Sequence, residues 1–160
     1  SIYSMIERDL EREIIPFCIE NGIGVVPFSP IASGLLSGKV TASTDFSHSD
    51  DVRKFVPQLK PGNIEANQPI VDLLGKWAAR MDATPAQISL AWMLRKYPNV
   101  VPIPGSKNKE RTIENLDSWN VRFTDEEFSE LESELDRIPV HGHRGSVQVE
   151  GSKMSDWGKD

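Results

Sequence analysis

The sequence has little that would suit a membrane-spanning, secreted or thiolate-metal protein. Its longest apolar runs, such as residues 23–26, are far shorter than the roughly 20 residues that a membrane-spanning helix needs. No signal-peptide core is visible, and Cys18, the single cysteine, can form neither an internal disulfide nor a cysteine-based zinc site. These absences predict a cytoplasmic protein without membrane contact.

Positive charge is also scarce. The chain has 18 Lys and Arg against 24 Asp and Glu, which gives a formal net charge of -6. Proteins that bind nucleic acid in general carry broad basic surfaces that neutralise phosphates, so no nucleic-acid partner is expected. Any site for an anion in this chain must therefore be local.

What the chain does contain is the composition of an ordinary globular domain, since 38% of its residues are hydrophobic and 26% are charged. Short apolar runs predict three strands, at residues 2–5, 24–28 and 100–104. Helical spacing of apolar residues predicts a first helix with its N-cap at Asp9 that runs to about residue 19. The same spacing predicts helices over 63–81, from Thr84 to about 97, over 109–116 and from Thr124 to 138. Repeated strand and helix units favour an α/β fold with a parallel sheet.

Several helix ends carry recognisable signals. Thr84 and Pro85 are suited to the N-cap and first helical positions, and Thr124 with Glu127 predicts a capping box. Pro16 falls inside the first helical pattern, where it would leave a hydrogen bond unmade. That helix is expected either to begin near Pro16 or to bend there.

A first candidate site follows the third predicted strand. Gly105, Ser106 and Lys107 lie at the start of a helix, with Lys109 and Arg111 close behind. Backbone N–H groups and the positive end of the helix dipole favour an anion at such a position, and Arg111 can bind phosphate in a bidentate fork. The alternative is that this basic run is only a solvated first turn.

A second candidate site is the loop of residues 29–39, which follows the second predicted strand. Gly34 and Gly38 permit close approach of the backbone to a pyrophosphate, Ser29 and Ser33 offer hydroxyls, and Lys39 offers charge. The loop has neither the P-loop spacing nor the G-x-G-x-x-G fingerprint. Its position adds to the signal, because parallel barrels place their sites at the carboxyl ends of strands.

Three motifs in order resemble those of the aldo-keto reductase superfamily. Residues 29–39 resemble that family's loop after its seventh strand, and residues 84–92 are similar to its penultimate barrel helix. Residues 102–107, with Arg111 and residues 114–116, resemble its eighth strand and adenosine-phosphate motif. The likeness spans roughly residues 2–135, and three spaced motifs are far more specific than one.

The resemblance implies the C-terminal part of a (β/α)8 TIM barrel, with about three strands and their helices. Residues 1–140 would belong to one barrel domain, and residues 141–160 would form a mostly irregular tail. Because a complete barrel takes about 250 residues, and because the chain begins at Ser1 almost directly in patterned sequence, we expect a fragment. The missing N-terminal half of the barrel is then a partner, and open strand edges predict self-association.

The resemblance also implies a site for NADP(H). Phe28 would stack on the nicotinamide, where the family more often has tyrosine. Ser106, Lys107 and Arg111 would hold the 2'-phosphate, which favours NADP(H) over NAD(H). Glu114 and Asn115 would face the adenine. The full set of implied cofactor-binding residues is Phe28, Ser29, Ile31, Ser33, Gly34, Leu35, Lys39, Gly105, Ser106, Lys107, Arg111, Glu114 and Asn115.

The family reduces carbonyls with an Asp, Tyr, Lys and His tetrad, and no residue of this chain matches those motifs. Tyr3 and Tyr97 are the only tyrosines. His141 and His143 form a lone His-x-His that we interpret as solvated loop, since a metal needs further ligands. No catalytic residue and no metal ligand are therefore predicted.

The leading hypothesis is the NADP(H)-binding part of an oxidoreductase that reduces aldehydes or ketones by hydride transfer, with a small-molecule carbonyl compound as substrate. The alternative is a noncatalytic NADP(H)-binding regulatory subunit of the same fold, as in potassium-channel β subunits. An unrelated phosphate-binding barrel would leave Phe28 and the Glu114-Asn115 pair unexplained.

Overall fold

A short parallel sheet lies at the centre of the computed structural model, which describes residues 1–48 and 51–143. Ile2 pairs with Phe28, and Val25 pairs with Val100, both in parallel. The Val25 N–H donates to Asn99 O at 2.8 Å, and the Ile103 N–H donates to Pro27 O at 3.1 Å. The three predicted strands are therefore neighbours in sequence order.

The pairings are isolated bridges, so the three segments are shorter strands than the sequence predicts. Prolines are one reason, because Pro27, Pro102 and Pro104 have no N–H to donate to a neighbouring segment.

Helices cover one side of this sheet. They are α1 (Ile14–Glu20), α2 (Pro61–Ala66), α3 (Gln68–Arg80), α4 (Pro85–Lys96), α5 (Lys109–Asp117) and α6 (Asp125–Leu135). A short 3-10 turn at Asp9–Glu11 precedes α1, and others lie between the helices at Ala32–Ser37, Val52–Phe55, Pro57–Leu59 and Ser118–Asn120. The predicted capping box of Thr124 and Glu127 is confirmed, since Thr124 accepts from the Glu127 N–H at 3.1 Å. Thr84 is the N-cap of α4, as predicted, and it also forms a capping box that was not predicted, by accepting from the Gln87 N–H at 3.3 Å.

The first helix begins later than predicted. Asp9 opens a 3-10 turn, while the N-cap position of α1 is Glu13, whose side chain makes no cap hydrogen bond. Pro16 is the third residue of α1, where a backbone N–H would have no partner within the helix. The expectation that the helix begins near Pro16 is confirmed, and the assignment of Asp9 as its N-cap is wrong.

The single helix predicted over residues 63–81 is two helices, α2 and α3, which meet at Asn67. Pro69 contributes no N–H to a continuous helix. The amide of Asn67 binds the backbone of His141, far along the chain. The last helix is also shorter than predicted, since α6 ends at Leu135.

The two faces of the sheet differ in burial. Val25 and Val100 point toward the helices and are buried, close to the fully buried Trp77 and Trp92 of the same core. Because side chains alternate along an extended segment, the neighbouring residues point to the other side. There, an exposed apolar surface, here called the open sheet face, is formed by Val26, Phe28, Val101 and Ile103.

Carboxylates of helix α6 bind the tryptophan indoles and a lysine of α3 and α4. The Trp77 indole N–H donates to Glu134 at 2.8 Å, and the Trp92 indole N–H donates to Glu132 at 2.5 Å. Lys96 also binds Glu132. In the part of the chain that the structure describes, none of these helices has the length and apolar character to cross a membrane.

Candidate functional site

An open cleft of about 730 Å³ lies beyond the carboxyl ends of the second and third extended segments. One wall is the loop of residues 29–40, and the other is the turn at residue 105 together with α5. Predicted site residues that line it are Phe28, Ser29, Ile31, Ser33, Gly34, Lys39, Gly105, Ser106, Arg111, Glu114 and Asn115. The structure thus brings together residues of both candidate loops.

Two predicted residues are not among those lining the cleft. The side chain of Leu35 is buried in the core, with 1% of its surface exposed. Lys107 is exposed on the turn that precedes α5. Their proposed contacts with a ligand stay predictions.

The backbone of the first wall is tightly turned. Ser29, Ala32 and Ser33 have φ of 55°, 47° and 56°, the left-handed region that residues with a Cβ adopt infrequently. Gly34 has φ of 101°, and a Cβ there would lie 3.3 Å from Val40 Cγ2. Such strained backbone tends to cluster at binding sites, where the surrounding structure holds it in place.

Helix α4 holds both walls of the cleft. The Ser89 hydroxyl donates to Pro30 O at 3.2 Å in the first wall. Gln87 completes the capping box of α4, and its Nε2 also donates to Glu114 O at 3.0 Å in the second wall. The separation of the walls is therefore fixed by residues one helical turn or less apart.

The second wall presents the N-terminal end of α5. Asn108 is the N-cap and accepts from the Arg111 N–H at 3.0 Å. The Ser106 hydroxyl donates to Asn108 O at 2.9 Å and accepts from the Asn108 N–H at 3.1 Å, which fixes the turn. Gly105 and Ser106, which precede α5, and Arg111 in its first turn line the cleft, and the positive end of a helix dipole together with an arginine favours an anion.

Charged side chains connect and flank the walls. Lys39 Nζ lies 3.6 Å from Glu114 Oε2, so an ion pair joins the first wall to α5. Lys39, Arg53 and Arg111 all line the cleft, which gives it local positive charge in an acidic protein.

Arg53 was not predicted from the sequence, and neither were the lining residues Val40 and Thr44. Arg53 binds Asp51 at 2.6 Å, lies 4.7 Å from the centre of the Phe46 ring and lowers the pKa of Asp51 to about 2 through its hydrogen bonds. Asp51 caps the turn Val52–Phe55 by accepting from the Arg53 N–H, which is a local signal for the turn but not for its place at the cleft.

The tyrosines and histidines of the described residues do not line this cleft. Tyr3 is buried, its hydroxyl donates to Glu11 at 2.6 Å, and burial raises its pKa. Burial also raises the pKa of Tyr97. Across residues 1–48 and 51–143, no three His, Cys, Asp or Glu side chains are grouped so that they would hold a metal ion.

Comparison with known proteins accounts for this arrangement. The profile of the Aldo/keto reductase family matches residues 1–136. The chain belongs to the aldo/keto reductase family. A curated relative, probable aldo-keto reductase 1 of Glycine max, is 31% identical over 155 residues, which cover 97% of this chain and 43% of the relative.

Solved aldo-keto reductases share the fold. The glycerol dehydrogenase AKR11B4 of Gluconobacter oxydans is 25% identical with a TM-score of 0.74, over 85% of this chain and 41% of that one. An aldo/keto reductase of Klebsiella pneumoniae, solved with NADP and acetate, is 22% identical with a TM-score of 0.57, over 90% of this chain and 41% of that one. The chain thus spans less than half the length of these aldo-keto reductases and matches part of their barrel.

Proposed function

We propose that this chain is the NADP(H)-binding, C-terminal part of an aldo-keto reductase that reduces aldehydes or ketones by hydride transfer. The observation that carries the proposal is the cleft, whose walls bring Phe28 of one strand end together with Arg111 and Glu114 of the next. Membership of the aldo/keto reductase family supports the reaction class. The Klebsiella relative's complex with NADP supports the cofactor.

The residues of the cleft fit a dinucleotide phosphate in size and in chemistry. A volume of about 730 Å³ is within the range of small-molecule sites. Arg111 and Ser106, at the N-terminal end of α5, bind the 2'-phosphate, with Lys107 and Gly105 on the same turn. Lys39, in the other wall, and Arg53 neutralise the pyrophosphate.

The remaining lining residues orient the bases. The Phe28 ring is 42% exposed on the open sheet face, so its flat side is available for stacking on the nicotinamide. Glu114 and Asn115 face the adenine. NADPH, when bound, supplies the hydride that reduces the carbonyl carbon.

A proton donor for the carbonyl oxygen must come from elsewhere. Tyr and His are absent from the residues that line the cleft. The open sheet face fits the interior of a barrel, which a further set of strands would fill. We therefore assign the catalytic tetrad to an N-terminal half of the barrel, which is the partner of this chain.

The lack of Tyr and His among the residues that line the cleft also fits a second function. A noncatalytic regulatory subunit would bind NADP(H) through the same cleft and would lack a functional tetrad. Turnover by the completed barrel distinguishes the two functions.

The experiment has two parts. NADPH and NADH are titrated into the 160-residue chain by fluorescence and calorimetry, and tighter binding of NADPH than of NADH is expected. NADPH oxidation with an aromatic aldehyde is then measured with and without the N-terminal half of the barrel, and turnover is expected only with it, because positioning a hydride does not protonate the oxygen. No binding of either nucleotide would refute the proposal, and robust turnover by the chain alone would mean that the catalytic residues are misplaced.

A further inference from the structure

Residues 141–142 are seated on the break between α2 and α3. The Asn67 side chain is fully buried, and both of its polar atoms bind one residue of this segment. Its Nδ2 donates to His141 O at 2.8 Å, and its Oδ1 accepts from the His141 N–H at 2.9 Å. A buried amide that binds both the N–H and the C=O of a distant residue fixes the position and the orientation of that residue's backbone.

The next residue fits the seat only as glycine. Gly142 has φ of 71°, and a Cβ there would lie 2.8 Å from Asn63 Nδ2 and 3.1 Å from Gln58 N. Asn63 Nδ2 in turn donates to Pro57 O at 2.8 Å. The seat is therefore built from the turn Pro57–Leu59 and from α2, and it is closed by the C-terminal segment.

This seat is connected along the chain to Arg53, a residue that lines the cleft. Gln58 is fully buried, and its Nε2 donates to Glu7 at 3.0 Å, next to the carboxyl end of the first extended segment. The turn Pro57–Leu59 follows Val52–Phe55 directly, and the Val56 N–H donates to Arg53 O at 3.0 Å. Arg53 lines the cleft, so four residues, 54–57, separate Gln58 of the seat from a cation of the cleft.

We propose that residues 141–142 act as a strut for the nucleotide cleft. By docking on Asn67 and Gln58, they hold the turns over residues 52–59 so that Arg53 stays at the cleft. Residues 141–142 thereby contribute to nucleotide affinity without contacting the nucleotide, and Asn67 is a positioning residue. This inference rests on the proposed function, since its effect is measured through NADPH binding.

A double-mutant cycle tests the route of the effect. NADPH affinity is measured for the 160-residue chain and for Asn67→Ala, Arg53→Met and the double variant. Asn67→Ala is expected to weaken binding roughly two- to thirtyfold, the size of couplings carried through intervening structure. If Asn67 acts through Arg53, the double variant binds no worse than Arg53→Met, whereas additive losses would overturn the proposal.

Two further variants separate positioning from folding. Asn99→Ala removes another amide-to-backbone hydrogen bond, from Nδ2 to Ile23 O at 3.0 Å, at the opposite end of the sheet. It is expected to leave NADPH affinity unchanged, and an equal loss of affinity in this variant would overturn the proposal. Gly142→Ala adds a Cβ to the seat and is expected to reproduce Asn67→Ala, which covers the case in which Asn67→Ala does not fold.

Amide hydrogen exchange tests, in the absence of nucleotide, whether residues 141–142 hold the turns over residues 52–59. In Asn67→Ala or Gly142→Ala, amides of residues 52–60 are expected to exchange faster while those of α4 keep their protection. Unchanged exchange over residues 52–60 would overturn the strut even if NADPH binds. Faster exchange in a chain that binds no NADPH would retain the strut and refute the proposed function.

Discussion

The hydroxyl of Ser89 donates a hydrogen bond to the carbonyl oxygen of Pro30 at 3.2 Å, across 59 residues of sequence. Both groups are buried, so neither has water as an alternative partner. Through this bond α4 holds the strained loop that forms one wall of the cleft, while Gln87, on the same helix, holds the other wall at Glu114.

Ser89→Ala is therefore expected to destabilise the protein and to loosen the cleft. The Pro30 carbonyl would lose its donor, and an unsatisfied buried group costs about 1 to 3 kcal/mol. Urea unfolding measures the free energy, and NADPH titration measures the accompanying loss of affinity. Ser133→Ala is the matched control, because Ser133 lies on the exposed side of α6 and accepts only a surface contact from Arg137; its effect should stay within about 0.5 kcal/mol. Equal destabilisation by the two variants would contradict the role given to Ser89.

Arg111→Ala is expected to weaken binding of NADPH much more than that of NADH, because the guanidinium binds the 2'-phosphate, which NADH lacks. Losing a charge-assisted contact costs on the order of 1.5 to 3 kcal/mol, or roughly ten- to more than a hundredfold in affinity. Lys109→Ala, two residues away, is the control, since Lys109 is exposed and is not among the residues lining the cleft. Equal losses for both nucleotides in Arg111→Ala would show that the 2'-phosphate is held elsewhere.

Stability is expected to fall in acid through Glu11. Burial disfavours its charged form, but hydrogen bonds from Arg8 and Tyr3 outweigh this and hold the pKa of Glu11 below its ordinary value of 4.5. A depressed pKa in the folded state stabilises the fold above 4.5, and this contribution is lost as the pH falls through the lowered value.

Glu11→Gln should therefore be less stable than the parent at neutral pH, with a difference that shrinks below pH 4.5. Urea unfolding midpoints of both proteins, measured at neutral pH and below pH 4.5, give the difference in stability at each pH. Asp9→Asn is the control, because the Asp9 side chain is exposed and its ion pair with Arg12 spans 3.7 Å. A gap between Glu11→Gln and the parent that does not depend on pH would contradict this assignment.

The isolated chain is expected to associate through the open sheet face. Val26 and Val101 are more than half exposed there, beside strand edges that have no further neighbour among the described residues. Sedimentation velocity should show oligomers, and Val101→Lys should shift them toward monomer. Val52→Lys is the control, since Val52 is 67% exposed but lies in the loop turn Val52–Phe55. A monomeric parent chain that unfolds in one sharp, reversible transition would count against an incomplete barrel.

Local chemistry made part of this structure predictable. The capping boxes at Thr84 and Thr124 involve residues three apart, so the sequence contains both partners of each bond. The break at Asn67 was missed although Pro69 is visible in the sequence, because the buried pairing of Asn67 with His141, 74 residues away, is not. Arg53 was missed for a related reason, since its place at the cleft depends on how Phe46, Asp51 and the turns of the polar loop fold together.

All residues that line the cleft lie within one continuous stretch of sequence, residues 28–115. Helix α4 is part of this stretch and binds both walls, Pro30 through Ser89 and Glu114 through Gln87. An engineer who wished to exchange the nucleotide preference of a related barrel would therefore have to transplant the central helix along with both loops. A graft of the turn at residues 105–111 alone would carry the phosphate-binding side chains into a scaffold that sets a different spacing for them.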